Sequence, residues 1–483
     1  MTQPKAVMEI IRTQLAIVGG GPAGYAAAFL AADLGWKVLL IEKESRLGGV
    51  CLNHGCIPSK ALIGATRVLT EARESARRGI HFPSPSIEIE QLRLWKESIL
   101  AKLASGVTSL AQKRGVTVCR GTATFESNHR LSITSGSDHQ MVEFDQAIIA
   151  TGSTPFIPES LRLDDPRVMT STEALQLPSI PRSLLVIGGG YIGLEMGTIY
   201  SALGTAITMV ETTDSLLTGA DPDLVRPVAL FARKSFKSVK LKTQVSELRP
   251  STEGIVAKMQ SEASTEEWEF DRVLVAAGRT PSVSGLGLEK IGVKLTHQGF
   301  VQVDAHKRTT IHNVYAIGDA SGNPMLAHKA TLDARIAIQN LSNLPVPDRK
   351  FLIPSVVFTD PEIAWCGLTE AQAKASQIPH VVAKFPWGAS GRAQAQERTE
   401  GMTKLIIEAE TERILGAGIV GHGAGELIAE AVVAMELNAT VSDLANCVHP
   451  HPTLSETFME CAEIYHGRAT HYYSRKLTKN PES

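Results

Sequence analysis

Cysteine is scarce in this chain, at six among 483 residues. Four of them, Cys119, Cys366, Cys447 and Cys461, are scattered. That excludes a disulfide scaffold and fits a reducing compartment in which only a working pair cycles. An excess of one charge is also lacking. With 48 basic and 50 acidic residues the formal net charge is -2, which argues against nucleic acid or an anionic membrane as partner. No unbroken apolar run has the length of a bilayer span. Residues 15–32 come nearest, but Gly19-Gly20-Gly21-Pro22 and Gly24 divide them into strand, turn and helix. Residues 1–14 have neither the apolar core of a signal peptide nor an arginine-rich presequence, so a cytoplasmic location is expected. What remains is an ordinary globular composition, 43% hydrophobic and 20% charged. Its length calls for roughly two to four domains.

Against these absences stands a glycine pattern that occurs twice. Residues 15–18 read as a buried strand, and Gly19, Gly21 and Gly24 form G-x-G-x-x-G at its exit. An alanine-rich helix follows to Leu34, Gly35 stops it, and residues 38–41 form the next strand. Glu42 closes that strand about twenty residues after the glycines, the spacing of a dinucleotide-binding unit. The glycines provide a tight turn, close backbone approach to pyrophosphate and close helix packing, while the carboxylate holds a ribose hydroxyl. The unit recurs with a strand at 184–187, then Gly188, Gly190 and Gly193, a strand at 206–210 and Glu211. Two complete units imply two cofactors. Glu211 would repel a 2'-phosphate, and residues 212–217, Thr-Thr-Asp-Ser-Leu-Leu, hold no arginine to receive one. NAD is therefore favoured over NADP at the second site.

Residues 48–60, Gly-Gly-Val-Cys-Leu-Asn-His-Gly-Cys-Ile-Pro-Ser-Lys, set Cys51 and Cys56 just beyond the first fingerprint. In a regular helix their Cα atoms would lie about 8.7 Å apart, beyond the roughly 7 Å that a disulfide spans. If they bridge, residues 53–55 must distort the helix. Two buried free thiols, or half of a zinc site, are the other readings, although zinc would want a second close Cys or His pair. Pro58 suits the first turn of a following helix, whose N-terminus favours a thiolate. Thiol exchange also needs a base. Residues 449–456, His-Pro-His-Pro-Thr-Leu-Ser-Glu, offer one in a loop stiffened by Pro450 and Pro452. As an isolated H-x-H this is a weak metal pattern, and beside the other motifs no metal is expected.

These motifs, in this order and over essentially the whole chain, resemble the flavin disulfide reductases. Cys-Ile-Pro-Ser-Lys, Met325-Leu-Ala-His-Lys329 and the Phe-Pro-Trp-Gly-Ala-Ser-Gly-Arg-Ala run at 385–393 resemble their dihydrolipoamide dehydrogenase branch from bacterial 2-oxoacid dehydrogenase complexes. The resemblance implies an α/β fold with two Rossmann-like domains and an α+β C-terminal domain. An FAD-binding domain occupies 1–154 and returns at 277–350, with the NAD-binding domain inserted at 155–276 and a dimerisation domain at 351–483.

Residue by residue, the resemblance makes Cys51–Cys56 a redox-active disulfide, with Cys51 the interchange thiol and Cys56 the flavin-side thiol. His451 becomes the base, supplied by the other subunit of a homodimer, and Glu456 orients it; His449 is structural. FAD falls to Gly19, Gly21, Gly24, Glu42, Gly121, Thr151, Gly152 and Ala327. Asp319, at the end of Asn-Val-Tyr-Ala-Ile-Gly-Asp, meets its ribityl chain. Lys60 and Glu195 pair near the flavin N5, and Tyr191 covers the flavin until nicotinamide displaces it. NAD falls to Gly188, Gly190, Gly193, Glu211, Val245, Ala277, Gly278 and Arg279.

The implied reaction is oxidation of protein-bound dihydrolipoamide, with reduction of NAD to NADH. The implied partners are lipoyl domains of 2-oxoacid dehydrogenase E2 subunits or the glycine cleavage H protein. No Ala/Pro-rich linker precedes residue 15, so a lipoyl domain of its own is not expected. A glutathione-reductase-like enzyme would want NADP-binding arginines, and a mercuric-reductase-like one a C-terminal cysteine pair, absent from residues 472–483. An NADH diaphorase would not need Cys51, Cys56 and His451 together. His54 departs from the small apolar residue usual between the two cysteines.

Overall fold

The computed structural model describes residues 10–475 and Leu477. The expectations of no leader and of a cysteine-free tail fall in part, at 1–9, 476 and 478–483, outside the described residues.

Three sheets organise the chain, each following from its sequence pattern. The first is seven-stranded. Thr117–Arg120, Val38–Glu42, Ile10–Val18 and Asp138–Ile149 run parallel in that order, and Val314–Ala316 joins beside the last. Leu15, Ala16, Ile17, Leu39, Leu40 and Ile41 are almost wholly buried, because helices pack on one face of the parallel strands and Ala123, Phe125, Leu131 and Ile133 of an antiparallel extension pack on the other. The other half of Asp138–Ile149 pairs antiparallel with Arg130–Ser135, which pairs with Thr122–Ser127. The strand that sequence reading begins at residue 15 starts five residues earlier, at Ile10.

The second sheet is five-stranded and parallel, in the order Ser238–Lys240, Ala206–Val210, Ser183–Ile187, Arg272–Val275, Val168–Met169. A separate antiparallel layer, Thr243–Pro250, Ile255–Ser261 and Thr265–Phe270, covers one side of it. Two short strands, Ser153–Pro155 and Arg279–Pro281, pair antiparallel where the chain passes into and out of this region.

From Ser355 the pattern becomes antiparallel throughout. A five-stranded sheet in the order Ser355–Val357, Glu362–Gly367, Ile414–Gly421, Met402–Glu408, His380–Pro386 is backed by helices Ala424–Glu436 and Glu456–His466. Among the described residues no helix is long and apolar enough to cross a membrane.

The element that ties these regions together is the helix Cys56–Glu74. Its Leu62 and Ile63 lie in one apolar cluster with Leu184, Val186, Ile207 and Leu274 of the second sheet and with Val357, Ile363 and Val420 of the third. Its first residue is the second cysteine of the pair.

Candidate active site

The first fingerprint folds as a turn between Ile10–Val18 and helix Pro22–Asp33. Gly24 has no room for a side chain, since a Cβ there would stand 1.7 Å from the Gly19 carbonyl oxygen. The Glu42 carboxylate is 7% exposed and is fixed by two backbone donors. The Gly20 N–H donates to it at 2.7 Å and the Glu44 N–H at 2.8 Å. Gly121 follows Thr117–Arg120 and donates its N–H to the Glu42 carbonyl at 2.9 Å. Ala327 opens helix Ala327–Leu341, which packs on the fingerprint helix.

A dinucleotide fits this cradle on two observations. Thr151 Oγ1 is buried without a partner in the protein, and a Cβ at Gly21 would meet nothing closer than the Gly49 backbone at 3.7 Å. Asp319 sits just beyond Val314–Ala316, and Ser153 Oγ donates to its Oδ2 at 2.6 Å. Arg279 completes a relay by donating Nε to Ser153 Oγ at 2.8 Å and its guanidinium to the Ser153 carbonyl at 2.7 Å. Ser153 carries no motif of its own, which is why sequence reading passed over it.

The second fingerprint repeats the first. A Cβ at Gly193 would lie 2.0 Å from the Gly188 carbonyl oxygen, and the space beside Gly190 is open. The Gly189 N–H donates to Glu211 at 2.7 Å and the Thr213 N–H at 2.9 Å. The hydroxyls of Thr212 and Thr213 add bonds of 3.1 and 3.0 Å. Burial opposes ionisation of Glu211, yet these bonds hold its pKa below the usual carboxylate value. The carboxylate therefore stays charged. Ala277 and Gly278 follow strand Arg272–Val275, while Val245 lies in the antiparallel layer, buried and paired with Met259.

Between the cysteines the helix breaks where the spacing argument requires. Gly49–His54 ends at Gly55, whose φ of -144° and ψ of -102° are not helical, and Cys56 begins the next helix. The interruption brings both thiols, free in this structure, within hydrogen-bonding reach of each other. Cys56 is lowered to about 7, first by the hydrogen bond from Cys51, against the cost of burial, and then by the Lys60 cation. Cys51 moves the other way, because it donates that bond and is itself buried. One proton is thus shared unequally, and the thiolate belongs at Cys56.

Lys60 stands one turn further along the same helix. Its ammonium donates to both oxygens of Glu195 at 2.9 Å and lies 4.4 Å from the centre of the Phe358 ring. The Glu195 side chain is 5% exposed and also accepts the Phe358 N–H at 3.1 Å. Phe358, some 163 residues from Glu195 in sequence, offered no signal of this contact. Tyr191, at the head of helix Tyr191–Ala202, is 40% exposed and lies in the field of Arg279, Asp319, Glu195 and Cys56. It therefore sits where the two fingerprints and the thiols converge.

His451 and Glu456 form a separate cluster. His451 Nδ1 bonds Glu456 Oε1 at 2.9 Å, and Glu456 Oε2 accepts the Thr453 N–H at 2.7 Å. An ionised carboxylate only accepts, so Nδ1 carries the proton and Nε2 is left as the basic nitrogen. The His451 side chain is 67% exposed, and its recorded partners, Glu456 and His471, belong to its own segment. His449, by contrast, is 8% exposed and tied to Glu430 at 2.6 Å and to the Cys447 carbonyl at 3.0 Å, a structural setting. Among the described residues no group of three or more candidate ligands could hold a metal ion.

Comparison with known proteins agrees with this geometry. Residues 13–334 match the pyridine nucleotide-disulphide oxidoreductases and residues 353–462 match the dimerisation domain of the same family. The chain belongs to that family. Within it, the chain is similar over nearly its whole length to curated proteins named dihydrolipoyl dehydrogenase. The Haemophilus influenzae protein is 43% identical over 95% of this chain and 96% of its own length. The Geobacillus stearothermophilus protein is 39% identical over 96% and 98%. Among solved structures, LpdA from Mycobacterium tuberculosis superposes with a TM-score of 0.87 at 28% identity, covering 93% of this chain and 99% of that one. RclA from Escherichia coli, an HOCl-induced flavoprotein disulfide reductase, reaches 0.83 at 26%, covering 93% and 99%.

Proposed function

We propose that this chain is a dihydrolipoyl dehydrogenase that oxidises dihydrolipoamide through the Cys51–Cys56 pair, with FAD at the first fingerprint and NAD at the second. The observation that carries the reading is the pair itself. A helix broken at Gly55 presents two thiols to each other, with the Lys60–Glu195 ion pair beside the lower-pKa Cys56. When bound, FAD would supply a two-electron acceptor for the reduced pair and NAD a hydride acceptor for the reduced flavin.

The protein's own residues then have these tasks. In the neutral imidazole whose Nδ1–H donates to Glu456, His451 Nε2 carries the lone pair that takes a proton from one thiol of dihydrolipoamide. The resulting thiolate attacks Cys51 Sγ of the oxidised pair, so the Cys51–Cys56 bond breaks and Cys56 leaves as a thiolate. Its low pKa makes Cys56 the better leaving group. The second substrate thiol gives up its proton as it closes on the first sulfur and expels Cys51, so one substrate proton ends on the Cys51 thiol and the other on His451. Lipoamide departs oxidised and the pair is left reduced by two electrons. Lys60 stabilises the Cys56 anion throughout.

Homodimerisation and a lipoyl arm as substrate complete the reading. The exposed apolar side chains Val433, Leu437 and Val448, the last 97% exposed, lie near His451 in sequence and support a partner subunit there. A base that is itself largely exposed supports its serving the pair of the opposite subunit. The substrate is expected on a lipoyl domain of a 2-oxoacid dehydrogenase E2 subunit or of the glycine cleavage H protein, in the cytoplasm.

The test is anaerobic titration of the holoenzyme with dihydrolipoamide, followed by NAD. Bleaching of the flavin, then NADH formation, supports the assignment. No reduction by dihydrolipoamide, together with rapid NADH- or NADPH-driven reduction of another disulfide, moves the protein to a sister reductase.

A further inference from the structure

A second histidine–carboxylate pair lies against the first. Helix Glu456–His466 carries Glu456 and, one turn on, Glu460. Residues four apart share a helix face, so the two carboxylates stand one above the other. Glu456 holds His451; Glu460 holds His471, through Nδ1 at 2.5 Å and through the His471 backbone N–H at 3.3 Å. The Glu460 side chain is 3% exposed. A carboxylate so buried is kept only with partners, and His471 is the one recorded for both of its oxygens. The two imidazoles are stacked, with ring centres 6.4 Å apart and planes 11° from parallel.

An imidazole held at one nitrogen can still swing about its side-chain torsions, and proton transfer needs Nε2 aimed within a few tenths of an ångström. A flat ring fixed by its own buried anchor limits that swing on one side. We infer that His471, clamped by Glu460, is a positioning residue for the base His451, setting the ring orientation in which Nε2 meets the substrate thiol. The inference rests on the reading of His451 as that base. Neither His471 nor Glu460 belongs to a motif, and 20 residues separate His471 from the histidine it stacks on, so no local pattern pointed to the pair.

The experiment uses purified holoenzyme and two reactions. Oxidation of dihydrolipoamide with NAD needs the base. Reduction of ferricyanide by NADH does not, and reports whether the flavin and the NAD site are intact. His451→Gln should nearly abolish the first reaction; if it does not, the assignment of the base fails, whatever His471 does. With that loss in hand, His471→Ala and Glu460→Gln should each lower kcat for dihydrolipoamide about tenfold, with KM and the ferricyanide rate within about twofold of the parent. His471 is half-exposed, so its variant remains informative if burial makes Glu460→Gln fold poorly. An unchanged dihydrolipoamide kcat in His471→Ala overturns the inference. So does a parallel fall of both reactions, because that is the mark of a merely structural role.

Discussion

The two nucleotide units are alike down to single hydrogen bonds, yet they face solvent differently. In each, the middle glycine donates its N–H at 2.7 Å to a glutamate 22 positions on. The first unit is then closed over by its own chain. Pro22 opens its helix, the Gly48 N–H bonds the Gly20 carbonyl at 2.9 Å, and Glu42 is buried. The second has the equivalent bond, from the Leu217 N–H to the Gly189 carbonyl at 3.2 Å, but half-exposed Tyr191 opens its helix and Glu211 is held by hydroxyls at the surface. The lesson is that one motif can hold its carboxylate buried or near the surface according to the residues that open the helix and flank the acid. In the first unit the loop over the turn leads into the cysteines, so the glycine turn and the dithiol share a wall.

The sharpest way to break this comparison is to block each turn in turn. Gly24→Val and Gly193→Val both drive a side chain into a carbonyl oxygen that a Cβ alone would approach to 1.7 and 2.0 Å. The first should yield protein without flavin and without activity. The second should keep flavin and reduction by dihydrolipoamide but form no NADH. Equal flavin loss, read from the absorption spectrum, would show the units to be interchangeable after all.

Next in size is the bridge between the units, Lys60 on one side and Glu195 on the other. Cys56 is lowered from 9.0 to about 7 chiefly by the hydrogen bond from Cys51, with Lys60 adding to it. A depressed thiol pKa means that thiolate forms more readily in the folded, reduced protein. The stability it contributes is complete above about 9 and is lost as pH falls through about 7. Iodoacetamide labelling of the reduced protein should rise through about pH 7, and Lys60→Met should move that midpoint upward. The same variant strands the buried Glu195 charge, at a cost of about 2 kcal/mol once the partial exposure of the lysine is allowed for. Urea unfolding measures it.

A smaller effect separates the two glutamates. Glu211→Ala should narrow the preference for NAD over NADP about tenfold in kcat/KM, or about 1.4 kcal/mol, while leaving flavin content unchanged. Smallest in its effect on turnover is Ser153→Ala, which parts Arg279 from Asp319. Its two side-chain hydrogen bonds, to Asp319 and from Arg279, are lost together, which predicts about 1–2 kcal/mol of stability, read in denaturant, with NAD turnover nearly intact.

What could be read in the sequence was what neighbouring residues dictate. The fingerprints are legible because turn, helix start and terminal acid follow within one supersecondary unit. The break near Gly55 follows from helix geometry once the two cysteines are taken as a pair, and the roles of His451 and Glu456 from the resemblance of their loop to the family's motif. Ser153, Phe358 and the antiparallel layer at 243–270 were not legible. Ser153 joins groups 126 and 166 residues away, which only tertiary packing brings to it. The layer alternates in burial on strands whose partners no local motif marks. Glu460 and His471 fall in the same class, being a pair made by a helix face and a returning tail.

The apolar cluster around Leu62 and Ile63 has a consequence for how the molecule melts. Chains of several sheets commonly unfold piecewise, each region with its own midpoint. Here the cysteine-bearing helix is anchored in side chains of both neighbouring sheets, so loosening either one uncovers the same apolar surface. Opening of either the second or the third sheet therefore loosens the helix that carries Cys56. Redox competence and the packing of those two sheets are expected to be lost together.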